Sequence, residues 1–452
     1  MPGAGRAAAA PRRTDVAEAS AWVVMVMVGL VASTLAVRAG FKIGVNAAPF
    51  TADYRVKVEA GSVLAPALVV AVLAGIRAGA VRRLSWRQLL LAAYVVALGW
   101  SVALAVVDGG NGLSSPVAAP QEYLRDVHYV DDVGVLPFVR DFTSHLPPHG
   151  TGFTIATRTH PPGPPLLLWV LVRAGIRRPF ALGLVLTALG CLAVPLVAVA
   201  ARSVCGEQAA RTLLPFVALA PYAVWIAVSM DGVVASLCAA FVACGVIASE
   251  PGRRARWALA GGGLLGVAAL FSYAAPWLAL IPLLVCFTRR RASRILLFGA
   301  GAVVPLGIAR AVGFVWPDGL SGAQADWSIR VGPHRSWLVW AVLDLVVLVV
   351  ACGPAVVAAA RRVRETPGWA FVVGSGVAVA FAIGSGLARG EVERSWLPFF
   401  PWLLVPVSAP RRHPEVAGDE GLTDATPAPS LLLLAIGAVA AVLIESVLRT
   451  AW

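Results

Sequence analysis

Lysine is almost missing from this sequence. Lys42 and Lys57 are the only two in 452 residues, so arginine supplies nearly all of the 37 basic side chains. Charge of either sign is scarce at 13% of residues, about half of the roughly 25% usual for soluble domains. A chain this poor in charge cannot clothe itself for water. Cysteine is rare as well: Cys191, Cys205, Cys238, Cys244, Cys286 and Cys352 lie in or beside apolar runs, with no C-x-x-C spacing. That pattern excludes a disulfide framework and a zinc site. No GxxxxGK[ST], HExxH or GxSxG sequence occurs, which argues against nucleotide, metalloprotease and serine-hydrolase chemistry. The net charge of +13 does not point to nucleic acid, because the arginines stand in short clusters between apolar runs, as positive-inside anchors do.

Apolar side chains make up 59% of the sequence. They gather in runs at 21–38, 61–79, 87–107, 180–201, 212–229, 232–249, 257–272, 275–288, 294–314, 336–359, 369–388, 396–409 and 429–449. These predict an all-α membrane protein of about 13 transmembrane helices, since about 20 apolar residues cross a bilayer core. The stretch Leu166–Ile176 is too short to span and contains Arg173, so it is expected to be a juxtamembrane helix. The arginines support that choice. With the N-terminus cytoplasmic, the later inner loops hold Arg202, Arg211, Arg253, Arg254, Arg256, Arg289, Arg290, Arg291, Arg294, Arg361, Arg362, Arg364, Arg411 and Arg412. The later outer loops hold only Arg330, Arg335, Arg389 and Arg394. A crossing at 166–176 would reverse that distribution against the positive-inside rule. The expected protein is therefore a multi-pass plasma-membrane protein with its N-terminus cytoplasmic and its C-terminus extracytoplasmic. Residues 1–19 are read as a disordered tail, with a retained first helix after them, and 411–430 as a flexible cytoplasmic linker before the last helix at 431–452.

Polar residues concentrate on the expected outer face. The loop from Asp108 to His160 holds Glu122, Asp126, Asp131, Asp132, Asp141, Arg125, Arg140, Arg158 and four of the six histidines; its length alone suggests function. Asp231, Asp326 and the run Arg389-Gly390-Glu391-Val392-Glu393-Arg394 add to this face. Each feature also has a plain structural reading. Asp131 or Asp132 would cap a helix over 133–142, Asp231 would cap its own helix, His160 would stiffen a proline-rich loop, and 389–394 would be a solvated ion-pair patch. Taken together, carboxylates, histidines and arginines over an apolar bundle suit a lipid-borne substrate. A carboxylate can take the proton of an acceptor hydroxyl, while arginine stabilises a phosphate leaving group.

The pattern Glu122-Tyr123-Leu124-Arg125-Asp126-Val127, then Asp131-Asp132, then Arg158-Thr159-His160-Pro161-Pro162-Gly163 resembles the GT-C membrane glycosyltransferases, in particular the protein-mannosyltransferase and aminoarabinose-transferase branch. Ser229-Met230-Asp231 and Ser272-Tyr273-Ala274-Ala275-Pro276-Trp277 are softer matches, and Gly390 to Trp396 is similar to a motif of actinobacterial membrane proteins of this kind. The resemblance implies a catalytic bundle over 85–410, with an outer loop at 108–163 and a juxtamembrane helix at 164–176. Residues 20–84 would be an additional N-terminal hairpin. It further implies transfer of a sugar from a polyprenyl-phosphate donor to a cell-envelope glycan, lipid or protein. Asp126, Asp131 or Asp132 would be the base, and Arg158, His160, Asp231, Tyr273, Glu391 and Arg394 would bind substrate, with Arg389 completing the site. No cofactor and no protein-held metal is expected, although outer carboxylates leave room for a divalent cation. Two other classes stay open. A transporter or flippase would depend on Asp344 at mid-span, and a non-catalytic assembly protein would tolerate loss of His160 and the loop acids.

Overall fold

The computed structural model describes residues 13–409 and 428–450, and these are overwhelmingly helical. The helical state follows from the solvent: in hydrocarbon a backbone must satisfy its own N–H and C=O groups. Among the described residues, six helices are long and apolar enough to cross a membrane: Arg13–Arg38, Ala60–Arg77, Trp86–Asn111, Pro179–Cys205, Met230–Ala248 and Ala292–Val312. A seventh span arises if Trp316–His334 and Trp337–Cys352, bent by 98° at their junction, count as one. The other apolar runs are helical but shorter or broken. The run at 212–229, for example, is interrupted after Glu207–Ala218, where Pro221 opens a separate 3-10 turn, Pro221–Trp225. The run at 396–409 folds into two one-turn helices, Phe400–Leu403 and Val405–Ser408.

Local chemistry sets the helix ends. Ser85 accepts from the Gln88 backbone N–H while the Gln88 side chain returns to Ser85, a reciprocal cap that starts Trp86–Ala105. Pro179 opens Pro179–Cys191, where its missing N–H costs nothing. The most enclosed span is Met230–Ala248, packed between Arg256–Ala269, Ala193–Cys205 and Pro179–Cys191. Arg256–Ala269 and Ala292–Val312 touch backbone to backbone, because Gly262 faces the Phe298 carbonyl and Gly301 faces that of Leu259 with no room for a Cβ. Small residues at helix crossings allow this close van der Waals packing in lipid. The outer side of Ala292–Val312 exposes Leu296, Val303, Val304 and Ile308, as a lipid-facing helix should.

Two expectations are corrected. Residues 13–19 are not part of an unstructured tail: they open the helix Arg13–Arg38, where buried Glu18 receives Arg362 Nη2 at 2.8 Å and Asp15 accepts from Ser430 Oγ at 2.9 Å. The remainder of that tail, 1–12, and residues 410–427 of the expected linker lie outside the described residues. Beside the helices stands one short ladder, in which Ala52–Tyr54 pairs antiparallel with Leu448–Thr450. Lys57 reinforces that pairing by bridging Asp108 at 2.6 Å and Glu445 at 2.9 Å. Finally, the helix expected over 133–142 is shorter, Val135–Arg140. Asp126–Val133 and Val135–Arg140 are separated by Gly134, whose φ of +85° turns the chain. Asp131 and Asp132 therefore sit inside the first of these helices and cap neither.

Candidate functional site

The long polar loop folds into short helices held by its own side chains. Asp126 is buried, and its Oδ2 accepts from Thr154 Oγ1 at 2.7 Å and Thr154 N at 3.0 Å. The Ala156 N–H donates to the Gln121 carbonyl at 3.0 Å. These bonds clasp residues 121–126 to 154–158. Thr154 also caps Ile155–Arg158, after which the chain enters His160-Pro161-Pro162-Gly163. Gly163 docks on the Leu270 carbonyl through its N–H at 2.9 Å, and a Cβ there would collide with Leu270 and Phe271. The glycine thus fixes where the helix Gly163–Arg173 begins. His160 Nδ1 lies 3.0 Å from the Ala156 carbonyl. A carbonyl only accepts, so Nδ1 carries the proton, and Nε2 faces Asp231 Oδ1 at 3.9 Å.

Arg394 is the centre of a buried charge cluster. Its Nη1 donates to Glu122 Oε1 at 2.8 Å and its Nε lies 2.8 Å from Asp231 Oδ2. Burial opposes the charge on Arg394, but Glu122 and Asp231 outweigh it and raise the guanidinium pKa above its ordinary value. Asp231 occupies the first turn of Met230–Ala248, where Ser229 is the cap: Ser229 Oγ accepts from the Asp231 N–H at 3.1 Å. A carboxylate in a first turn is favoured by the helix dipole. Tyr123 completes the cluster. Its ring meets His160 edge-on at 5.7 Å between centroids, and its hydroxyl is buried without a hydrogen-bond partner. Burial and then Asp231 push that phenol well above its usual pKa.

A turn of unusual backbone delivers Arg394 to this cluster. Gly390 and Glu391 have φ of +88° and +63°, a left-handed conformation that costs a non-glycine residue about 1 kcal/mol. Three bonds hold the turn. The Gly390 N–H donates to Asp344 Oδ1 at 3.0 Å, the Glu391 N–H to Thr51 Oγ1 at 3.0 Å, and the Thr51 N–H to Glu393 Oε1 at 2.9 Å. The second oxygens of Asp344 and Glu393 are buried without a partner, and burial raises Glu393 to about 7. Asp344 is thus a clamp on the turn.

Beside the 121–126 segment lies an open cavity of about 700 Å³. Asp126, Arg125, Arg158, Gln121, Tyr129 and His145 line it. Tyr129 Oη and His145 Nε2 are 3.0 Å apart, over an aromatic floor in which Phe138, Phe142 and Phe153 pack together. Arg158 Nε donates to Asp326 Oδ1 at 2.9 Å and Nη1 to the Phe153 carbonyl at 2.7 Å. Arg330 shares Asp326.

The site residues expected from sequence therefore divide. Arg394, Asp231 and His160 come together, while Asp126 and Arg158 line the neighbouring cavity. Asp131 is elsewhere: it is exposed, accepts from Trp169 Nε1 at 2.7 Å and faces Arg173 at 3.8 Å. Asp132 is exposed on the same short helix. Tyr273 packs on Trp316 and against Gly319. Glu391 points toward Arg335 at 3.5 Å, and Arg389 is spent on the carbonyls of Gly332 and Arg335. The 389–394 run is no solvated patch, and Asp231 is no cap. Sequence reading did not select Glu122 and Tyr123 for the site. Their cue was position, immediately before Asp126 in the same motif. The clamp formed by Thr51, Asp344 and Glu393 had no sequence cue, because Thr51 lies hundreds of residues from the other two. Among the described residues, no group of three or more His, Cys, Asp or Glu side chains is placed to hold a metal ion.

The crystal structure of ArnT from Cupriavidus metallidurans in the apo state is similar to this chain, with a TM-score of 0.45 and 18% sequence identity. The match covers 71% of this chain and 58% of that one, so this chain spans less than two thirds of that protein's length. A likeness of this size identifies neither a fold family nor an activity. No known protein family and no curated protein matches the sequence.

Proposed function

We propose that this chain is a membrane glycosyltransferase of the GT-C kind, transferring a sugar from a polyprenyl-phosphate donor to a cell-envelope acceptor at the extracytoplasmic face. The observation that carries the reading is the pairing, in one cavity of about 700 Å³, of the Asp126 carboxylate with Arg125 and Arg158. The helix-rich apolar bundle and the Glu122-to-Gly163 pattern support it. The arginine-rich ends of the helices opposite this cavity support a cytoplasmic N-terminus, and the pairing of 448–450 with 52–54 supports an extracytoplasmic C-terminus.

In this reading Asp126 is the base. Its Oδ2 is held by Thr154, which leaves Oδ1 to accept the proton of the acceptor hydroxyl. The hydroxyl oxygen bonds to the anomeric carbon as the bond from that carbon to the phosphate oxygen breaks with inversion. The phosphate departs with the electron pair, and Arg125 and Arg158 neutralise its charge. The Arg394 cluster, whose Glu122 adjoins the cavity-lining Gln121, fixes the loop that carries Asp126. Asp131 and Asp132 lie outside the cavity and have no part in the chemistry.

The test is sugar transfer by full-length protein in liposomes containing a polyprenyl-phosphate sugar. Asp126→Asn should lower the rate about 100-fold or more, the usual contribution of a general base, while Asp131→Asn and Asp132→Asn stay near wild type. Full activity of Asp126→Asn would overturn the assignment.

A further inference from the structure

The opposite end of the protein carries a second polar cleft, unrelated to the proposed transfer site. Asp231 stands at the start of Met230–Ala248 and the cleft at its end, about 27 Å away at 1.5 Å per residue. The cleft measures about 710 Å³ and opens among the ends of Ala193–Cys205, Met230–Ala248 and Leu280–Thr288, beside Trp86. Its lining includes Arg202, Arg253, Arg289 and Arg291, and one carboxylate, Glu250.

These arginines are not equivalent. Arg289 is structural: it donates to Ser249 Oγ at 2.7 Å and to the carbonyls of Ser203 and Val246, covering helix C-termini that would otherwise repel an anion. Glu250 is already satisfied by Ser203 Oγ at 2.6 Å and Arg253 Nε at 2.7 Å. Burial opposes its ionisation, but those donors hold its pKa below the usual range. Arg202 lies over the Trp86 ring at 4.8 Å while reaching Glu207. Arg291 is different. Its guanidinium makes no hydrogen bond or ion pair among the described residues, yet its backbone N–H closes the last turn onto the Cys286 carbonyl at 2.8 Å. That turn needs a left-handed residue at Arg290, with φ of +54°, a place glycine normally takes. The strained turn presents Arg291 to the cleft with its donors unspent.

A cleft with cations in excess, an unused guanidinium and apolar walls at Trp86, Val199 and Ile247 suits a ligand with a phosphate and an apolar portion. Guanidinium groups bind phosphate oxygens in bidentate fashion, and tryptophan marks headgroup level. We infer that this cleft binds a phosphate group, supplied either by an anionic lipid headgroup or by a free phosphate, with Arg291 and Arg253 as its principal contacts.

The experiment is native mass spectrometry of full-length protein titrated with phosphatidylglycerol or phosphatidylcholine, with inorganic phosphate as competitor. Wild type should retain one phosphatidylglycerol at least 10-fold more tightly than phosphatidylcholine. Arg291→Gln, and more so Arg253→Gln/Arg291→Gln, should lower that preference about 10-fold. Arg254→Gln/Arg256→Gln removes equal charge from exposed positions outside the cleft and should leave it intact. Displacement by millimolar phosphate identifies the free anion as a competent ligand, whereas resistance to it identifies the lipid; both uphold the site. Equal retention of the two lipids together with no phosphate binding, or equal loss in the control variant, overturns it. Arg291→Gln removes no side-chain hydrogen bond or ion pair among the described residues, so the test does not hinge on a folding defect.

Discussion

Replacing Arg394 with Met should be among the most damaging single changes outside the apolar core. The structure fixes the reason. Arg394 neutralises both Glu122 and Asp231, and the three side chains are only 14%, 12% and 7% exposed. Removing the cation leaves two carboxylates buried without a counter-charge, a change that costs about 3–5 kcal/mol for a broken buried pair. Arg394→Lys should cost less but remain harmful, because Nη1 serves Glu122 while Nε serves Asp231 and one ammonium cannot reproduce both edges; the loss of one charged hydrogen bond is worth about 1.5–3 kcal/mol. The decisive variant is Arg394→Met/Glu122→Gln/Asp231→Asn. It removes the stranded charges with the cation and should recover most of the loss, as neutral replacement of buried ion pairs often does. Equilibrium unfolding in mixed micelles, followed by tryptophan fluorescence, measures all three. A single variant within about 1 kcal/mol of wild type, or a triple variant no better than the single, would refute the account.

Further outcomes follow from the same cluster and its supports. Glu393 has a folded pKa of about 7 against an ordinary 4.5, so below pH 4.5 both folded and unfolded states are protonated and no penalty exists. As pH rises through 7 the folded state must give up its extra proton, and stability falls by about 3 kcal/mol at 1.36 kcal/mol per unit; Glu393→Gln should flatten that part of the stability–pH curve, and an unchanged curve would contradict it. Tyr123→Phe removes a buried hydroxyl that has no partner, so unfolding should show a stability gain of about 1 kcal/mol. A loss of stability would mean that the hydroxyl is satisfied in the native state. Gly163→Ala places a methyl against the Leu270 carbonyl and should cost about 1–3 kcal/mol, read in the same titration.

The residues that lie close in sequence were largely legible there. The apolar runs became helices because hydrocarbon leaves the backbone no other partner, and the short stretch expected at 164–176 is met by a helix of 11 residues, Gly163–Arg173. Boundaries were less legible. Residues 13–19 are helical because Glu18 finds Arg362, some 344 residues away, which no local pattern encodes. Asp126, Asp131 and Asp132 looked alike in sequence, since a helix of 3.6 residues per turn sends neighbours to different faces and only the start and orientation of that helix decide which face is covered. Folding buried Asp126 beside a cavity and left the other two exposed.

By itself, the sequence determined the solvent this chain is built for, the helical character that solvent imposes, and the crowding of acids, histidines and arginines between Asp108 and His160. Only the tertiary structure decided which of them meet. Arg394 reaches Glu122 across 272 residues because Asp344, Thr51 and Glu393 hold a left-handed turn in place. The same packing put Arg291 in a cleft and Arg158 on Asp326. Charge type and spacing are properties of the chain, but the pairing of buried charges depends on distances of about 3 Å, and only the assembled bundle sets those.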